Sequence, residues 1–302
     1  MRDLVIIGGG PAGISAGIYA ARKQLDTLLL SEDFTGQLGL SSLIENYPGF
    51  KSISGLELTK TFLDHLKEYD IDIRSFEKVI SIKELKDFYK IVTDEREYET
   101  KAVILCTGAN PKRLGLKNEK KYLGRGISYC VTCDGIKYKD KTVVVVGGGN
   151  AGLEGALELS NYTKRVYVFE ITDRLTADEV LIERVGKEKN IEVLVNVEVK
   201  SFEGEDRLKE IIYTDTKGER ELLTDGCFIQ IGCVPNTGFL NGFVKLNSRG
   251  EIVVDPKTFQ TSKVGVYAAG DVVDFNEKQI SLSVGQGALA SLSAFRYVRG
   301  LE

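Results

Sequence analysis

Residues 4–18 read LVIIGGGPAGISAGI, and residues 143–157 read VVVVGGGNAGLEGAL. Each stretch is a short aliphatic run, followed by Gly-x-Gly-x-x-Gly and then by small and apolar residues with helical spacing. In a strand–turn–helix unit the first glycine permits a tight turn, the second lets the backbone approach a pyrophosphate, and the third lets the helix pack on the strand. The repeat therefore predicts two dinucleotide-binding units in one chain.

Each unit also carries an acidic residue about 20 positions after its glycine turn, where a carboxylate can accept hydrogen bonds from a ribose. DTLLLSE ends at Glu32, 22 residues after Gly10, and RVYVFE ends at Glu170, 21 residues after Gly149. The alternative is a pair of glycine turns, each with an unrelated surface glutamate. Two complete fingerprints imply two dinucleotides, and this suits an enzyme that passes electrons from one cofactor to another.

The candidate nucleotide-binding residues of the turns are the glycines of both fingerprints and the residues beside them. They are Gly8, Gly10, Pro11, Ala12 and Gly13 in the first unit, and Gly147, Gly149, Asn150, Ala151 and Gly152 in the second.

Further strand-like runs, AVILCTG, GCFIQIG and GVYAAGD, each include a glycine at or near the end, where a chain can leave a sheet. Segments 108–115 and 233–240 contain proline and glycine and are the expected hinges. We therefore predict an α/β fold with two Rossmann-like domains of the three-layer ββα type. Residues 1–111 and 238–302 form the first domain, and residues 112–237 form a second domain inserted into it.

The chain has 302 residues, of which 42% are apolar, and a formal net charge of −4 at pH 7. This charge predicts no basic surface for a phosphate backbone, which argues against nucleic acid as a partner. No apolar run approaches the roughly 20 residues of a membrane span, and the N-terminal LVII runs into glycines and not into a cleavable signal. We expect a cytoplasmic protein without membrane attachment.

Cys130-Val-Thr-Cys133 lies just before the second fingerprint. Two thiols at this spacing can close a small ring, and the first, at or near a helix start, tends to have a lowered pKa. A redox dithiol is therefore the favoured interpretation over an unreactive pair. A zinc site lacks further ligands, because Cys106, Cys227 and Cys233 occur singly in predicted strands and are expected to be small buried residues. We expect no bound metal.

A cycling dithiol needs a group that accepts and returns protons. The single histidine, His65, lies in a predicted amphipathic helix and is expected at its solvated rim. Asp134, next to the cysteine pair, is the best candidate acid and base if partial burial raises its pKa. The alternative is that Asp134 only caps a helix or turn.

The chain resembles the low-molecular-weight thioredoxin reductase family over essentially its full length, and within it the flavoprotein module of alkyl hydroperoxide reductase. The stretches that carry the resemblance are IIGGGPAG, GQLGLSSLIENYPGF, CTGANPKRLG, GISYCVTCDG, VVVVGGGNAGLE, FIQIGCVPNT, VYAAGDV and KQISLSVGQGALAS. Taken together they are highly specific.

The resemblance implies FAD in the first unit. Besides the glycine turn, it implies as FAD-binding residues Glu32 on the adenosine ribose, Gln37 and Asn46 near the isoalloxazine ring, Thr107, Gly108, and Gly270, Asp271, Gln279 and Ile280 on the ribityl and ring side. It also implies that Cys133 faces the flavin and that Cys130 attacks the disulfide of a protein substrate. In this family the inserted domain rotates between two arrangements, which agrees with two hinges.

One segment departs from the family pattern. Reductases that use NADPH carry a basic His-Arg-Arg cluster where this chain reads FEITDR, with Arg174 as the one nearby cation. Glu170 would repel a 2′-phosphate but can accept two hydrogen bonds from a free ribose diol. NADH is therefore favoured over NADPH. A ferredoxin or another protein donor, without use of nicotinamide, remains a second possibility.

The expected function is an FAD-dependent, thioredoxin-reductase-like disulfide oxidoreductase. The alternatives are a flavoenzyme that reduces ferredoxin or quinones, and a non-enzymatic flavin redox sensor. The long N-terminal extension of the alkyl hydroperoxide reductase flavoprotein has no counterpart before residue 4, so we expect a free-standing thioredoxin or glutaredoxin-like protein as electron acceptor. The resemblance also implies a homodimer.

Overall fold

The computed structural model describes residues 1–40, 44 and 46–301 and divides into two compact units. The first unit comprises Met1–Asn110 and Val234–Glu302, and the second comprises Pro111–Cys233. The chain passes between the units twice, within two short strands that pair with each other. The boundaries predicted from sequence differ by a few residues, because they followed glycine and proline residues, whereas the crossings lie inside this strand pair.

The elements follow the chain in three stretches. Up to the first crossing they are β1 (Arg2–Ile7), α1 (Pro11–Arg22), β2 (Thr27–Ser31), a 3₁₀ helix (Leu38–Leu40), α2 (Gly55–Lys67), β3 (Asp72–Ser75), β4 (Val79–Glu84), β5 (Tyr89–Thr93), β6 (Glu97–Leu105) and β7 (Ala109–Pro111). Up to the second crossing they are α3 (Glu119–Tyr122), β8 (Ile127–Ser128), α4 (Val131–Asp134), a 3₁₀ helix (Gly135–Tyr138), β9 (Thr142–Val146), α5 (Asn150–Ser160), β10 (Arg165–Phe169), α6 (Glu179–Lys187), β11 (Ile191–Leu194), β12 (Glu198–Glu203), β13 (Glu210–Asp215), β14 (Gly218–Leu223), β15 (Gly226–Ile229) and β16 (Cys233–Pro235). The last stretch contains a 3₁₀ helix (Gly238–Leu240), β17 (Val266–Ala268) and α7 (Ile280–Val298).

The first unit is built on a parallel sheet in the order β3-β2-β1-β6-β17. All residues of β2 and the last four of β1 are buried, as expected for parallel strands covered on both faces. The N-terminal half of β6 leaves this sheet and pairs antiparallel with β5, which pairs antiparallel with β4. The helices, the parallel sheet and this antiparallel layer give the ββα arrangement.

The second unit repeats this plan. Its parallel sheet has the order β11-β10-β9-β15-β8, and a separate antiparallel sheet contains β12, β13 and β14. The two sheets differ in the origin of one edge strand. In the second unit this strand, β8, precedes the glycine turn in the chain, whereas in the first unit the corresponding strand, β17, follows the insertion. Two Rossmann-like units, one inserted into the other, confirm the predicted fold class.

Helix α2 shows how local sequence fixes an element. The Ser54 hydroxyl accepts from the backbone N–H of Glu57, and the Glu57 carboxylate accepts from the backbone N–H of Ser54, which forms a complete capping box. His65 lies exposed in the last turn of the helix, which confirms its predicted position at the rim. Within the described residues, no helix is long and apolar enough to cross a membrane.

Candidate functional site

The first glycine turn joins β1 to α1 and is shaped by close backbone contacts. Gly8 has a φ of 112°, and a side chain there would lie 2.2 Å from the carbonyl oxygen of Cys106. A side chain at Gly13 would lie 1.8 Å from the carbonyl oxygen of Gly8. At Gly10, in contrast, an added Cβ would meet no atom of the described residues within 4 Å. The turn therefore leaves open space where a pyrophosphate would approach the start of α1.

The residues after Gly10 hold α1 against the C-terminal part of the unit. Pro11 is the first residue of α1, and Ala12 is buried. A Cβ added at Gly270 would lie 3.0 Å from the Ala12 Cβ, and one added at Gly287 would lie 2.1 Å from the Ala12 carbonyl oxygen. The end of β17 and helix α7 thus lie directly beside the glycine turn, so the predicted residues around 270–280 share one edge of the unit with it.

Polar side chains line this same edge. Gln37 donates to the Asp271 carboxylate at 2.9 Å and to the carbonyl oxygen of Ala109 at 2.7 Å. Ser283 donates to the other carboxylate oxygen of Asp271 at 3.4 Å. Burial raises the pKa of the Asp271 carboxyl, although the charge of Lys278 and these hydrogen bonds act in the opposite direction.

The structure brings two further predicted residues of this unit, Asn46 and Gln279, into contact. Asn46 donates to the side-chain oxygen of Gln279 at 3.3 Å, and Gln279 immediately precedes α7. Ile280 packs on the small apolar cluster that contains Leu38 and Leu58. Residues 41–43 and 45, which belong to the quoted GQLGLSSLIENYPGF motif, lie outside the described residues.

Thr107 and Gly108 follow β6 and are held by a single residue, Asn236. The Thr107 hydroxyl donates to the Asn236 carbonyl oxygen at 2.9 Å, and the Asn236 side chain donates back to the Thr107 carbonyl oxygen at 2.8 Å. The backbone N–H of Asn236 donates to the Gly108 carbonyl oxygen at 2.9 Å. Gly108 has a φ of 68°, which favours glycine at this turn.

Glu32 and Glu170 differ in their surroundings, although both directly follow the second strand of their unit. Glu32 is exposed and pairs with Lys78, 3.1 Å away. In the first unit it is the Ser31 hydroxyl that contacts the glycine turn, where it accepts from the backbone N–H of Gly9 at 2.9 Å. In the second unit Glu170 makes the equivalent contact, with the backbone N–H of Gly148. The two predicted ribose-binding glutamates are therefore not structurally equivalent.

The second glycine turn has the same backbone shape as the first. Gly147 has a φ of 124°, and a side chain at Gly152 would lie 1.9 Å from the Gly147 carbonyl oxygen. Gly149 caps α5, which begins with Asn150 and Ala151. The Asn150 side chain donates to Asp178 at 3.0 Å and accepts from the Asp178 backbone N–H at 2.8 Å.

Glu170 is only 7% exposed, and its carboxylate is held on both oxygens. One oxygen accepts from the backbone N–H of Gly148 at 2.6 Å. The other accepts from the backbone N–H and the hydroxyl of Thr172, at 2.9 and 2.8 Å. These bonds fix a negative charge directly beside the second glycine turn.

The cysteine pair lies in the second unit at the start of the short helix α4. Cys130 and Cys133 form a disulfide bond, and the backbone N–H of Cys133 donates to the Cys130 sulfur at 3.2 Å. Cys130 is the N-cap of α4, and both cysteines are half-buried. Val131, between them, packs on α5, where a side chain at Gly155 would lie 2.9 Å from it. The residue between the two cysteines therefore packs against the helix of the second glycine turn.

Asp134 is linked to Cys130 through a serine. The Ser128 hydroxyl donates to the Asp134 carboxylate at 2.6 Å, and it also accepts from the backbone N–H of Cys130 at 3.1 Å. Lys137 pairs with the other carboxylate oxygen at 2.6 Å. The Asp134 side chain makes no capping hydrogen bond to the 3₁₀ helix that follows. Its contacts thus connect it, through Ser128, with the backbone of Cys130 and directly with the cation of Lys137.

The other cysteines differ from one another. Cys106 and Cys227 are fully buried, and burial raises the pKa of both thiols. Cys233 was expected to be buried in a strand, but it is exposed, because β15 ends at Ile229 and Cys233 belongs to the short crossing strand β16. In the described part of the chain, no group of three or more His, Cys, Asp or Glu side chains could hold a metal ion.

Several residues that complete these sites were not predicted. Ser31 and Thr172 hold the ends of the second strands, Ser128 connects Asp134 with Cys130, and Gln286 accepts from the backbone N–H of Gly270 at 2.8 Å. Gln286 lies inside the quoted KQISLSVGQGALAS motif, so its position was available in the sequence. The three hydroxyl residues carry no distinctive spacing, because serine and threonine are common at strand ends and turns.

Comparison with known proteins places these features in context. Residues 2–287 match the pyridine nucleotide-disulphide oxidoreductase family. One relative is an alkyl hydroperoxide reductase subunit, from Staphylococcus aureus, that is 39% identical over 299 residues, which cover 98% of this chain and 59% of that protein. NADH dehydrogenase of Bacillus subtilis is 40% identical over 299 residues, which cover 98% of this chain and 58% of that protein.

Solved structures give a full-length match. Thioredoxin reductase from Streptococcus pyogenes superimposes with a TM-score of 0.94 at 33% sequence identity, and the match covers 99% of each chain. The curated relatives are longer, since this chain spans about three fifths of their length. These matches confirm the resemblance to thioredoxin reductases that the sequence motifs indicated.

Proposed function

The chain belongs to the pyridine nucleotide-disulphide oxidoreductase family, and from this premise we propose that it is an FAD-dependent disulfide reductase. In this proposal two electrons reach the Cys130–Cys133 disulfide and pass on to a thioredoxin-like protein. The observation that carries the proposal is the disulfide itself, which is half-buried and spans Val131, a residue that packs on the helix of the second glycine turn. The full-length likeness to a thioredoxin reductase supports it.

The first unit supplies a cradle that fits FAD. The open space at Gly10 suits a pyrophosphate, and Gln37, Asp271 and Gln279 provide donors and acceptors along the same edge. Glu32, Asn46, Thr107, Gly108, Gly270 and Ile280 are the further residues that we propose to hold it. Bound FAD would supply a two-electron carrier.

The cysteines then act by thiol–disulfide exchange. In the reduced pair, the Cys130 thiolate attacks one sulfur of the partner's disulfide, forms a mixed disulfide and releases one partner thiolate. The Cys133 thiolate attacks the Cys130 sulfur, reforms the Cys130–Cys133 bond and releases the second partner thiolate. The partner gains two electrons and, from the two cysteine thiols, two protons. We assign to Asp134 the transfer of these protons, because it directly follows Cys133 in the chain and Ser128 links its carboxylate to the backbone N–H of Cys130.

The test is a trapping experiment. In Cys133→Ser the second attack is impossible. We therefore expect a covalent complex with a thioredoxin whose own resolving cysteine is replaced and whose remaining cysteine carries a small aromatic thiol as a mixed disulfide, because the Cys130 thiolate displaces that thiol as the leaving group. Cys130→Ser should form no such complex. Cys233 is exposed and lies outside the disulfide, so it supplies the matched control, since Cys133→Ser/Cys233→Ser should trap as much thioredoxin as Cys133→Ser alone. Loss of trapping in that double variant, or turnover of Cys133→Ser at the parental rate, would refute the assigned roles.

For the electron donor we propose NADH. The buried Glu170 carboxylate beside the second glycine turn would repel a 2′-phosphate and can accept hydrogen bonds from a ribose diol. A relative of similar identity is named an NADH dehydrogenase. Gly147, Gly149, Asn150, Ala151 and Gly152 would hold the nucleotide with Glu170.

We also propose that the protein forms a homodimer, because a closed two-fold dimer is the commonest symmetric assembly. Sedimentation of the FAD-loaded protein tests this part of the proposal.

A further inference from the structure

Segment 112–121 of the second unit is strongly basic. Lys112, Arg113, Lys117, Lys120 and Lys121 are all exposed. Lys121 contacts Tyr122, but within the described residues none of the five takes part in a salt bridge within 4.0 Å. The net charge of the chain predicted no basic surface, and this segment is a local exception that an average over the whole composition hides.

The one acidic residue of the segment does not offset these charges at the surface. Glu119 is 3% exposed, and its carboxylate accepts hydrogen bonds from the backbone N–H groups of Leu114, Gly115 and Leu116 at 2.8 to 3.2 Å. The backbone of the segment therefore wraps around the buried Glu119 carboxylate, and the cationic side chains lie at the surface. Arg113, Lys120 and Lys121, with Leu116, line a cavity of about 310 Å³ on this surface.

The basic segment lies close to the cysteine pair in the same unit. Glu119 also accepts from the Tyr129 hydroxyl at 2.5 Å, and Tyr129 immediately precedes Cys130. One tyrosine side chain therefore connects the carboxylate around which the segment folds with the backbone beside the disulfide.

We propose that segment 112–121 is a docking surface for an acidic protein that carries the substrate disulfide. This inference rests on the proposed function and adds the partner's chemistry to it. A cationic surface on the unit that carries the attacking sulfur raises the encounter rate of a negatively charged partner and disfavours a positively charged one. The surface selects the partner by charge, and the Cys130–Cys133 pair carries out the exchange.

The test uses two thioredoxins of the same fold as probes. One has a negative net charge, and the other carries lysine in place of several surface carboxylates. FAD-loaded protein is reduced anaerobically with dithionite and mixed with each probe, and probe reduction is followed as the NaCl concentration rises. The variant is Arg113→Gln/Lys117→Gln/Lys120→Gln. The control, Lys60→Gln/Lys86→Gln/Lys257→Gln, removes the same charge from exposed lysines of the first unit.

At about 20 mM salt we expect wild type to reduce the acidic probe at least about tenfold faster than the basic probe, and we expect the two rates to converge near 0.5 M. The segment variant should lose most of this preference, whereas the control variant should keep it. Equal rates with wild type at low salt, or an unchanged preference in the segment variant, would overturn the inference.

Two further outcomes are distinguishable. If wild type shows no preference between the probes but a single-stranded oligonucleotide binds it through Arg113, Lys117 and Lys120, the surface serves nucleic acid and the inference is wrong. If neither probe is reduced at any salt concentration, the disulfide reductase function itself fails. Reduction of both probes at high salt together with charge preference at low salt supports the function and the surface together.

Discussion

The carboxylate of Glu170 is held from two sides, by the backbone of Gly148 and by Thr172. Its charge is therefore fixed in place before any nucleotide arrives. A side chain that is already oriented loses little further conformational freedom when a ligand binds. This is the physical basis on which we expect the second unit to discriminate between nicotinamide nucleotides.

We predict that Glu170→Gln weakens NADH binding by roughly tenfold and tightens NADPH binding, because hydrogen bonds to a charged group contribute about 1.5–3 kcal/mol and the repulsion of the 2′-phosphate is lost. Nucleotide titration followed by fluorescence gives both dissociation constants. Glu183→Gln, on an exposed surface of α6 in the same unit, is the control and should change neither constant. Wild type that binds NADPH as tightly as NADH would contradict the role of Glu170.

A second residue, Glu251, determines a pH-dependent part of the stability. Burial alone would raise the pKa of this carboxyl, but hydrogen bonds from Asn247 and Lys278, together with the charges of Lys278 and Arg249, lower it below its ordinary value. Because the folded-state pKa is depressed, the stabilisation is present above the unfolded-state pKa and is lost as the pH falls through the folded-state pKa.

We predict that Glu251→Gln lowers the free energy of unfolding by about 1–3 kcal/mol at pH 7, because it leaves Lys278 and Arg249 without their charged partner. The difference from wild type should shrink steadily once the pH falls below the ordinary pKa of a glutamate. Urea unfolding at a series of pH values measures it. Glu183→Gln, on an exposed helix surface, should have almost no effect at any pH. A Glu251→Gln effect that is constant down to a pH of about 3 would argue against this explanation.

At the residue scale the sequence predicted the right types of residue but not always their orientation. Glu32 and Glu170 both follow a β-branched or aliphatic run, yet Ser31 makes in the first unit the contact that Glu170 makes in the second. Successive side chains at the end of a strand point to opposite faces, so a difference of one residue reverses the environment. Spacing alone does not resolve that difference.

At the scale of elements, the first glycine turn meets two requirements, close packing and space for a ligand, at two different glycines. Gly13 permits close packing of α1 on the turn, whereas Gly10 faces open space and has an extended backbone with a φ of −75° that any residue can adopt. Gly13 is needed for the fold, whereas we propose that Gly10 is needed for the ligand. A matched pair of substitutions distinguishes them.

We predict that Gly10→Ala leaves the urea midpoint of the FAD-free protein nearly unchanged but strongly reduces its flavin content after reconstitution, because the methyl group occupies the space in front of the turn. Gly13→Ala should destabilise the protein by about 3 kcal/mol or more, because its Cβ would lie 1.8 Å from the Gly8 carbonyl oxygen. Flavin absorbance per protein and urea titration give the two quantities. Equal flavin retention by wild type and Gly10→Ala would show that the cradle is placed wrongly.

The strand–turn–helix elements were predictable because glycine spacing and aliphatic runs coincide at β1 with α1 and at β9 with α5. The antiparallel layers were expected only from the fold class. Strands such as β4, with the sequence VISIKE, and β14, with the sequence GERELL, are partly exposed and rich in charge. Their stability comes from pairing with neighbouring strands, and a single-sequence pattern does not contain that information.

For the whole molecule, the internal repeat predicted the two Rossmann-like units, and the proline- and glycine-containing segments 108–115 and 233–240 predicted the insertion. Composition was less informative, because a net charge of −4 conceals the five exposed cations of segment 112–121. The pairing of Cys130 with Cys133 fits their spacing, but the contacts through Ser128 depend on the folded chain. The function therefore depends on where the folded units place these cations, the cysteine pair and Ser128.

The central claim is that a flavin-loaded chain exchanges electrons with its own disulfide. Anaerobic titration of the FAD-loaded protein with dithionite, followed by flavin absorbance and thiol counting, tests it most directly. We predict that wild type and the control Cys233→Ser take up about four electrons per chain, whereas Cys130→Ser/Cys133→Ser takes up about two, since a disulfide and a flavin each accept two. Complete bleaching of wild type after two electrons, with the disulfide still intact, would contradict the claim.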